Sequence, residues 1–174
     1  MSVLKILTIP DPRLKNKSKE VDFFDKKLQE TVGNMLDTLY SSENGIGLAA
    51  PQVGINKRIV VIDLQEDGKK SPITFINPEV LHSSKDKATN EEGCLSIPGY
   101  YAEVERPKTV DVEWSDLKGG KIKKRMTGLL SVCIQHEIDH LNGILFIDHL
   151  SNLKRKLAYQ KSKKLKKKKD EKTS

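Results

Sequence analysis

His136-Glu137-Ile138-Asp139-His140 places two imidazoles and a carboxylate at a spacing suited to metal chemistry. On an α-helix, residues four apart project from one face, about 5.4 Å apart along the axis. Both rings then reach one ion, and the glutamate beside the first can handle the protons of a water on that ion. The plain alternative is a pair of ordinary histidines on a core or surface helix. Two histidines also hold a catalytic metal poorly, because three protein ligands plus a water are usual. Cys94, Cys133, His82, His149 and several carboxylates compete for the third place. Cys133 faces the same side as His136, but it is seven residues from His140, about 10.5 Å along the axis at ~1.5 Å per residue. Ligands strung out along one helix do not converge on an ion whose bonds are about 2.0–2.3 Å. Cys133 therefore reads as a small apolar wall beside the site. Cys94 is the stronger choice. It lies in Glu92-Gly93-Cys94-Leu95-Ser96-Ile97-Pro98-Gly99, where glycines let backbone approach a site closely. A buried structural thiol is the alternative reading of it. His82 and His149 sit in polar or turn-like sequence and are expected to face solvent or bond locally.

These residues need elements to hold them. Leu129 to Leu141 reads as a helix carrying both histidines. Leu129, Leu130, Val132, Ile134, Ile138 and Leu141 make it apolar nearly all round, as in a central, buried helix. Asn142-Gly143 is a C-terminal stop with a left-handed residue. An earlier helix carries Leu28, Val32, Met35, Leu36 and Leu39 on one stripe of the helical period, with Asp22 or Asp25 as N-cap. Ile6 to Pro12 reads as a short extended start ending in a Pro-fixed turn. Gly45 to Gly54 is a glycine-rich loop. Strands are expected at Arg58–Leu64, at Ile73–Ile76 (ended by Asn77-Pro78), at Thr109–Trp114 and at Lys121–Met126. Lys85 to Glu92 is polar and reads as a surface loop. The expected fold is α+β, with small antiparallel or mixed sheets wrapped around a central buried helix carrying the histidines, and a C-terminal helix.

A length of 174 residues suits one domain with a real core. Residues 1–150 are expected to form the catalytic domain and residues 151–174 a basic C-terminal helix or tail. Two cysteines imply no disulfide framework. No secretory leader and no apolar stretch of about 18 residues is visible, so a cytoplasmic protein is expected. The net charge of +7 misleads: residues 151–174 carry eleven Lys/Arg and two acids, a net of +9, leaving the first 150 residues at −2. Leu150, Leu153 and Leu157 form a short stripe that would dock this tail before it runs on as a charged end. A solvated tail is one reading of the lysine run, and salt-dependent contact with RNA phosphates is the other.

Three segments, Gly45-Ile46-Gly47-Leu48-Ala49-Ala50-Pro51-Gln52, Glu92-Gly93-Cys94-Leu95-Ser96 and Gln135-His136-Glu137-Ile138-Asp139-His140, together resemble the three signature motifs of the peptide deformylases. The opening Ile9-Pro10-Asp11-Pro12-Arg13-Leu14 is similar to that family's start, and the basic helical end resembles its Gram-negative-like class. The resemblance implies removal of the formyl group from the N-terminal formylmethionine of new polypeptides, with release of formate. It implies Cys94, His136 and His140 as metal ligands and Glu137 as general acid/base. The side-chain amide of Gln52 and the backbone N–H of Leu95 would be the oxyanion donors. It implies ferrous iron, with Zn, Ni or Co able to substitute. A nascent chain could add as a strand beside Gly47, where no side chain blocks its approach. Ile46, Leu129, Val132 and Cys133 could line a pocket for the methionine side chain, although each is as readily explained as core. Glu92 would pair with Arg106 and steady the Cys94 segment. Tyr100-Tyr101 stands where related enzymes often carry a basic or polar residue, which leaves substrate contacts there open. The work of the family on emerging chains makes the ribosome a partner to expect for the tail, and no membrane. Nothing suggests more than a monomer. Two rival readings are a zinc peptidase, which would use a carboxylate or third histidine in place of Cys94, and a ribosome- or RNA-binding module with a structural metal.

Overall fold

The computed structural model describes residues 2–173. Helix α1 (Lys26–Ser41) starts where Asp25, the nearer of the two expected caps, accepts a 3.0 Å bond from the Leu28 N–H. Its buried positions are Leu28, Val32, Met35, Thr38 and Leu39, and Leu36 is half-buried against the same core. A five-stranded antiparallel sheet follows, built from β1 (Gly47–Ala49), β2 (Ile59–Ile62), β3 (Ile73–Ser83), β6 (Val110–Ser115) and β7 (Lys121–Met126), in that spatial order. Every residue of Ile59-Val60-Val61-Ile62 is buried, because β2 is covered on both faces. Val60 and Ile62 pack toward helix α2 (Gly128–Leu141) with Phe75, Trp114 and Ile134, while Ile59 and Val61 pack toward α1 with Leu48 and Ile76. The outer edge, β7, carries Lys121, Lys123, Lys124 and Arg125 in the open, charges that blunt edge-to-edge pairing.

The second sheet is a hairpin of β4 (Lys87–Cys94) and β5 (Ile97–Pro107). This corrects the expected surface loop at Lys85–Glu92. Only Glu92 is buried on β4, and it is charged, so no apolar alternation marks the strand. Its pairing comes from the ladder with β5. A second correction concerns Asn77-Pro78, which bends β3 without ending it. Asn77 takes a left-handed φ of +51° and its amide clasps Val21, accepting from the N–H at 2.8 Å and donating to the C=O at 3.0 Å. The register shifts between Ile76 and Glu79, where a proline lacking its N–H is tolerated at a bulge. The pairings between these strands are antiparallel, and an isolated parallel bridge joins Lys19 to Lys57.

Helix α3 (Asn152–Thr173) closes the fold against β5. Of the stripe expected to dock it, Leu150 packs against the core, but Leu153 is 67% and Leu157 46% exposed. Ala158 and Ser162 are buried instead, with Arg155 and Tyr159 half-buried beside them, at offsets of 0, 3, 4 and 7 that share one helix face. Small side chains let the helix come close to the hairpin, and Leu165 lies directly over the open backbone of Gly99. Ala158 joins Leu7, Ile9, Leu14, Ile97, Val104, Phe146 and Ile147 in a third core cluster on the far side of α2. The α2 helix is thus central and mostly buried, apart from its first turn, where Leu129 is 56% exposed. Gly143, at φ +73°, ends it in a left-handed turn whose backbone lies against the Lys15 carbonyl. Among the described residues, no helix is long and apolar enough to cross a membrane.

Candidate active site

The three sequence motifs meet at one end of α2. Buried His136 and His140 come from adjacent turns of the helix, with ring centroids 5.0 Å apart. Cys94, at the end of β4, brings its Sγ to 3.2 Å from His140 Nε2. One donor atom from each of Cys94, His136 and His140 lies within 4.8 Å of the others, close to the span that two bonds of about 2.0–2.3 Å to a shared ion would cover. One thiolate and two imidazoles form a donor set that suits Fe(II) or Zn(II). Burial pushes the His140 pKa well down, with His136 and Arg106 adding to the effect. That leaves the neutral ring a metal requires. For His136, burial also opposes the charged form, but Cys94 and Glu92 outweigh it and raise the pKa; the same anionic neighbours favour a metal cation in place of that proton. These observations fit a metal ion at this position.

Glu137 is 4% exposed. Its Oε1 is 3.7 Å from His136 Nε2, and its Oε2 is buried without a protein partner. Burial, with Glu92 adding to it, raises its pKa to about 7, against the pull of His136. Such a carboxyl can both take and return a proton near neutral pH. A side chain on Gly47 would come 3.2 Å from Glu137 Cγ, so the glycine keeps this approach clear.

Gln52 is 1% exposed and held from three sides. Its Oε1 accepts from the Ala49 N–H at 2.9 Å, and its Nε2 donates to Ser96 Oγ at 3.0 Å and points to Cys94 Sγ at 3.5 Å. The extended N-terminal segment stitches these two loops together. The Leu7 N–H donates to the Gln52 carbonyl at 2.7 Å, and the Ile9 N–H to the Ser96 carbonyl at 2.9 Å. The start of the chain thereby fixes the distance between the first and second motifs.

A cleft of about 410 Å³ opens onto this centre. It is lined by Ile46, Gly47, Gln52, Leu95, Leu129, Val132, Cys133, His136 and Glu137, while His140 sits behind them at 1% exposure. Cys133 is a wall residue: burial, and then Glu137 and Glu92, push its thiol up to about 12, which keeps it protonated and inert. Tyr101 lines the cleft with its ring over Gly93, whereas Tyr100 packs into the third core cluster.

Behind His136 lies a charged network that the sequence marked only in part. Glu92 Oε1 is 2.9 Å from His136 Nδ1. Arg106 grips Glu92 with Nε at 2.6 Å and Nη2 at 3.0 Å, and reaches Asp139 with Nη1 at 2.9 Å. Burial opposes charge on Glu92, but His136 and Arg106 bring its pKa down to about 2. The pairing of Glu92 with Arg106 was expected; the roles of Asp139 and His149 in the network were not. His149 Nε2 is 2.9 Å from Asp139 Oδ2. Asp139 hides inside the histidine motif, where its position carries no signal in a single sequence. His82 is exposed on β3 and far from this network in the chain.

A Cys-His-His centre with a buried carboxyl beside it, on a helix held between antiparallel sheets, defines a metallohydrolase of the HExxH kind. The particular family follows from comparison with known proteins. The family model described as polypeptide deformylase matches residues 3–156, and the chain belongs to that family. The peptide deformylase of Brucella suis is 52% identical over 166 residues, covering 95% of this chain and 94% of that protein. The peptide deformylase of Zymomonas mobilis is 49% identical over 166 residues, covering 92% and 93%. Among solved structures, a peptide deformylase from Legionella pneumophila superposes with a TM-score of 0.92 at 45% identity, covering 97% of this chain and 98% of that one. The Ehrlichia chaffeensis enzyme in complex with actinonin gives 0.89 at 41% identity, covering 94% and 98%.

Proposed function

We propose that this chain removes the formyl group from the N-terminal formylmethionine of new polypeptides by hydrolysis, releasing formate and a free α-amine. The observation that carries the reading is the convergence of Cys94, His136 and His140 beside buried Glu137, in a chain of the deformylase family. Cys94, His136 and His140 would hold one divalent ion, Fe(II) by resemblance to the family, with Zn, Ni or Co able to substitute. When bound, such an ion polarises the formyl carbonyl and makes a water acidic near neutral pH. Glu137 takes the proton of the attacking water and passes it to the leaving nitrogen. Gln52 Nε2 and the Leu95 N–H donate to the oxygen on which charge develops, Gln52 by giving up the N–H that faces Cys94 Sγ across 3.5 Å while the other stays on Ser96. Ile46, Leu129, Val132 and Cys133 take the methionine side chain, and Gly47 leaves room for the peptide backbone to lie along the edge of β1.

Residues 1–150 form the catalytic body in this reading. Residues 151–174, nearly all of them in α3, present the lysine run to ribosomal RNA while the body works on the emerging chain. A cytoplasmic monomer is sufficient for this reaction.

The test is formate release from a formyl-Met peptide by protein purified without oxygen and loaded with Fe(II), with Glu137→Ala in parallel. Rapid turnover that is lost in the variant supports both the reaction and the role of Glu137. No turnover by metal-loaded, folded protein would sink the reading.

A further inference from the structure

We infer that His149, on the surface beyond the end of α2, is a positioning residue for the metal centre, acting through Asp139, Arg106 and Glu92 on the ring of His136. The inference rests on Cys94, His136 and His140 being the ligand set. Each link is a hydrogen bond with defined geometry. His149 Nε2 and Arg106 Nη1 both meet Asp139 Oδ2 at 2.9 Å. The two remaining donor edges of Arg106 are taken by the two oxygens of Glu92, so the planar guanidinium is held between two carboxylates. Glu92 Oε1 in turn meets His136 Nδ1, which fixes the ring and leaves Nε2 facing the cleft.

His149 is itself well placed to act as an anchor. It ends the short turn Phe146–His149, whose N-terminal side is fixed by Asp148 Oδ2 accepting from the Leu145 N–H at 2.9 Å and by the ion pair of Asp148 with Lys15. Phe146 on the same turn stacks on His136 at 6.0 Å between ring centroids. One turn therefore steadies His136 twice, directly through Phe146 and through the chain that begins at His149. Asp139 is partly exposed, with 21% of its side chain open, so without His149 it would be free to turn toward water. Arg106, and then Glu92, would lose their fixed plane.

His149→Phe removes the donor and keeps a planar ring, while His149→Gln keeps an N–H donor of similar reach. The readouts are the Zn(II) dissociation constant by competition with a chromogenic chelator, the absorption bands of Co(II)-loaded protein, and kcat and KM separately. Direct outer partners of metal ligands are worth about 10–100-fold in affinity. For His149, which is separated from the direct outer partner Glu92 by Arg106 and Asp139, we expect ~3–10-fold weaker Zn(II) binding in His149→Phe. We also expect shifted Co(II) bands, a lower kcat with KM unchanged, and recovery in His149→Gln at an unchanged melting temperature. His149→Phe within twofold of wild type in Zn(II) affinity overturns the inference. So does equal loss in both variants. The metal-binding arm does not need turnover, so failure of the deformylase reading would be seen separately, as wild-type protein that binds metal without releasing formate.

Discussion

Arg106→Leu tests whether the charged network behind His136 is a structural necessity. The side chains of Arg106 and Glu92 are 5% and 4% exposed. The substitution removes three charge-assisted hydrogen bonds, at 2.6 and 3.0 Å to Glu92 and at 2.9 Å to Asp139. A leucine could fill much of the space, so packing is not the main loss. The cost arises because Glu92 stays buried with its charge and only His136 to answer it. Removing one partner of a buried pair typically costs about 3–5 kcal/mol, whereas removing both together is often close to neutral. At about 2–4 °C per kcal/mol for a chain of this size, the melting temperature should fall by ~6–20 °C. The assay is urea and thermal unfolding in excess chelator, so that metal linkage does not enter. The double variant Arg106→Leu/Glu92→Leu should be more stable than Arg106→Leu alone. A loss under ~1 kcal/mol in the single variant, or a double variant less stable than the single, would refute the argument that an uncompensated charge is what Arg106 prevents.

Gln52→Leu should lower kcat by about 10²–10³-fold with little change in KM, if its amide stabilises developing negative charge; steady-state formate release checks this, and a change confined to KM would contradict it. Gly47→Val should cut activity sharply, because even its Cβ would stand 3.2 Å from Glu137 Cγ and its methyls would crowd that carboxyl; circular dichroism should still report a folded protein. Tyr40→Phe removes the 2.5 Å bond to Asp63 and should cost about 1–2 kcal/mol at pH 8. Burial and Asp63 raise the Tyr40 pKa from 10.0 to about 12, so the stability tied to its neutral form is complete below about pH 10 and is lost as pH rises toward 12. Wild-type protein should therefore lose more stability between pH 9 and 11 than the phenylalanine variant does, as read by urea unfolding.

Much of the site can be read from the sequence because its chemistry is local. The four-residue spacing of His136 and His140 puts both on one helix face wherever that helix goes. The rejection of Cys133 as a ligand needs only the helical rise, and Cys133 does line the cleft wall. The stripe of α1 and the all-buried run of β2 are likewise written in hydropathy. The hairpin of β4 and β5 is not, because its buried side of β4 is a carboxylate, and a buried charge looks like a surface charge until its partner is known. Arg106 is that partner, fourteen residues away and directed inward by the ladder that pairs Ala88 with Arg106 and Glu92 with Ala102.

The docked face of α3 shows the same limit from the other direction. Leucines predict burial by hydrophobicity, yet Leu153 and Leu157 stay exposed while Ala158 and Ser162 are buried. How closely a helix approaches a hairpin is decided by shape at the contact, here small side chains against β5 and an open glycine at Gly99.

By itself the sequence determined which residue types could meet a metal, which helix presents them and that a glycine-rich loop and a glycine-flanked cysteine stand ready to join them. Only the tertiary structure decided that Cys94 comes within 3.2 Å of His140, that Gln52 points its amide N–H groups at Ser96 and Cys94, and that Glu92, Arg106, Asp139 and His149 run in a line from the ligand shell to the surface. The physical reason is range. Helical spacing and hydropathy act over a few residues, whereas Cys94 and His140 are separated by 46 positions and meet only after two sheets have packed on a central helix.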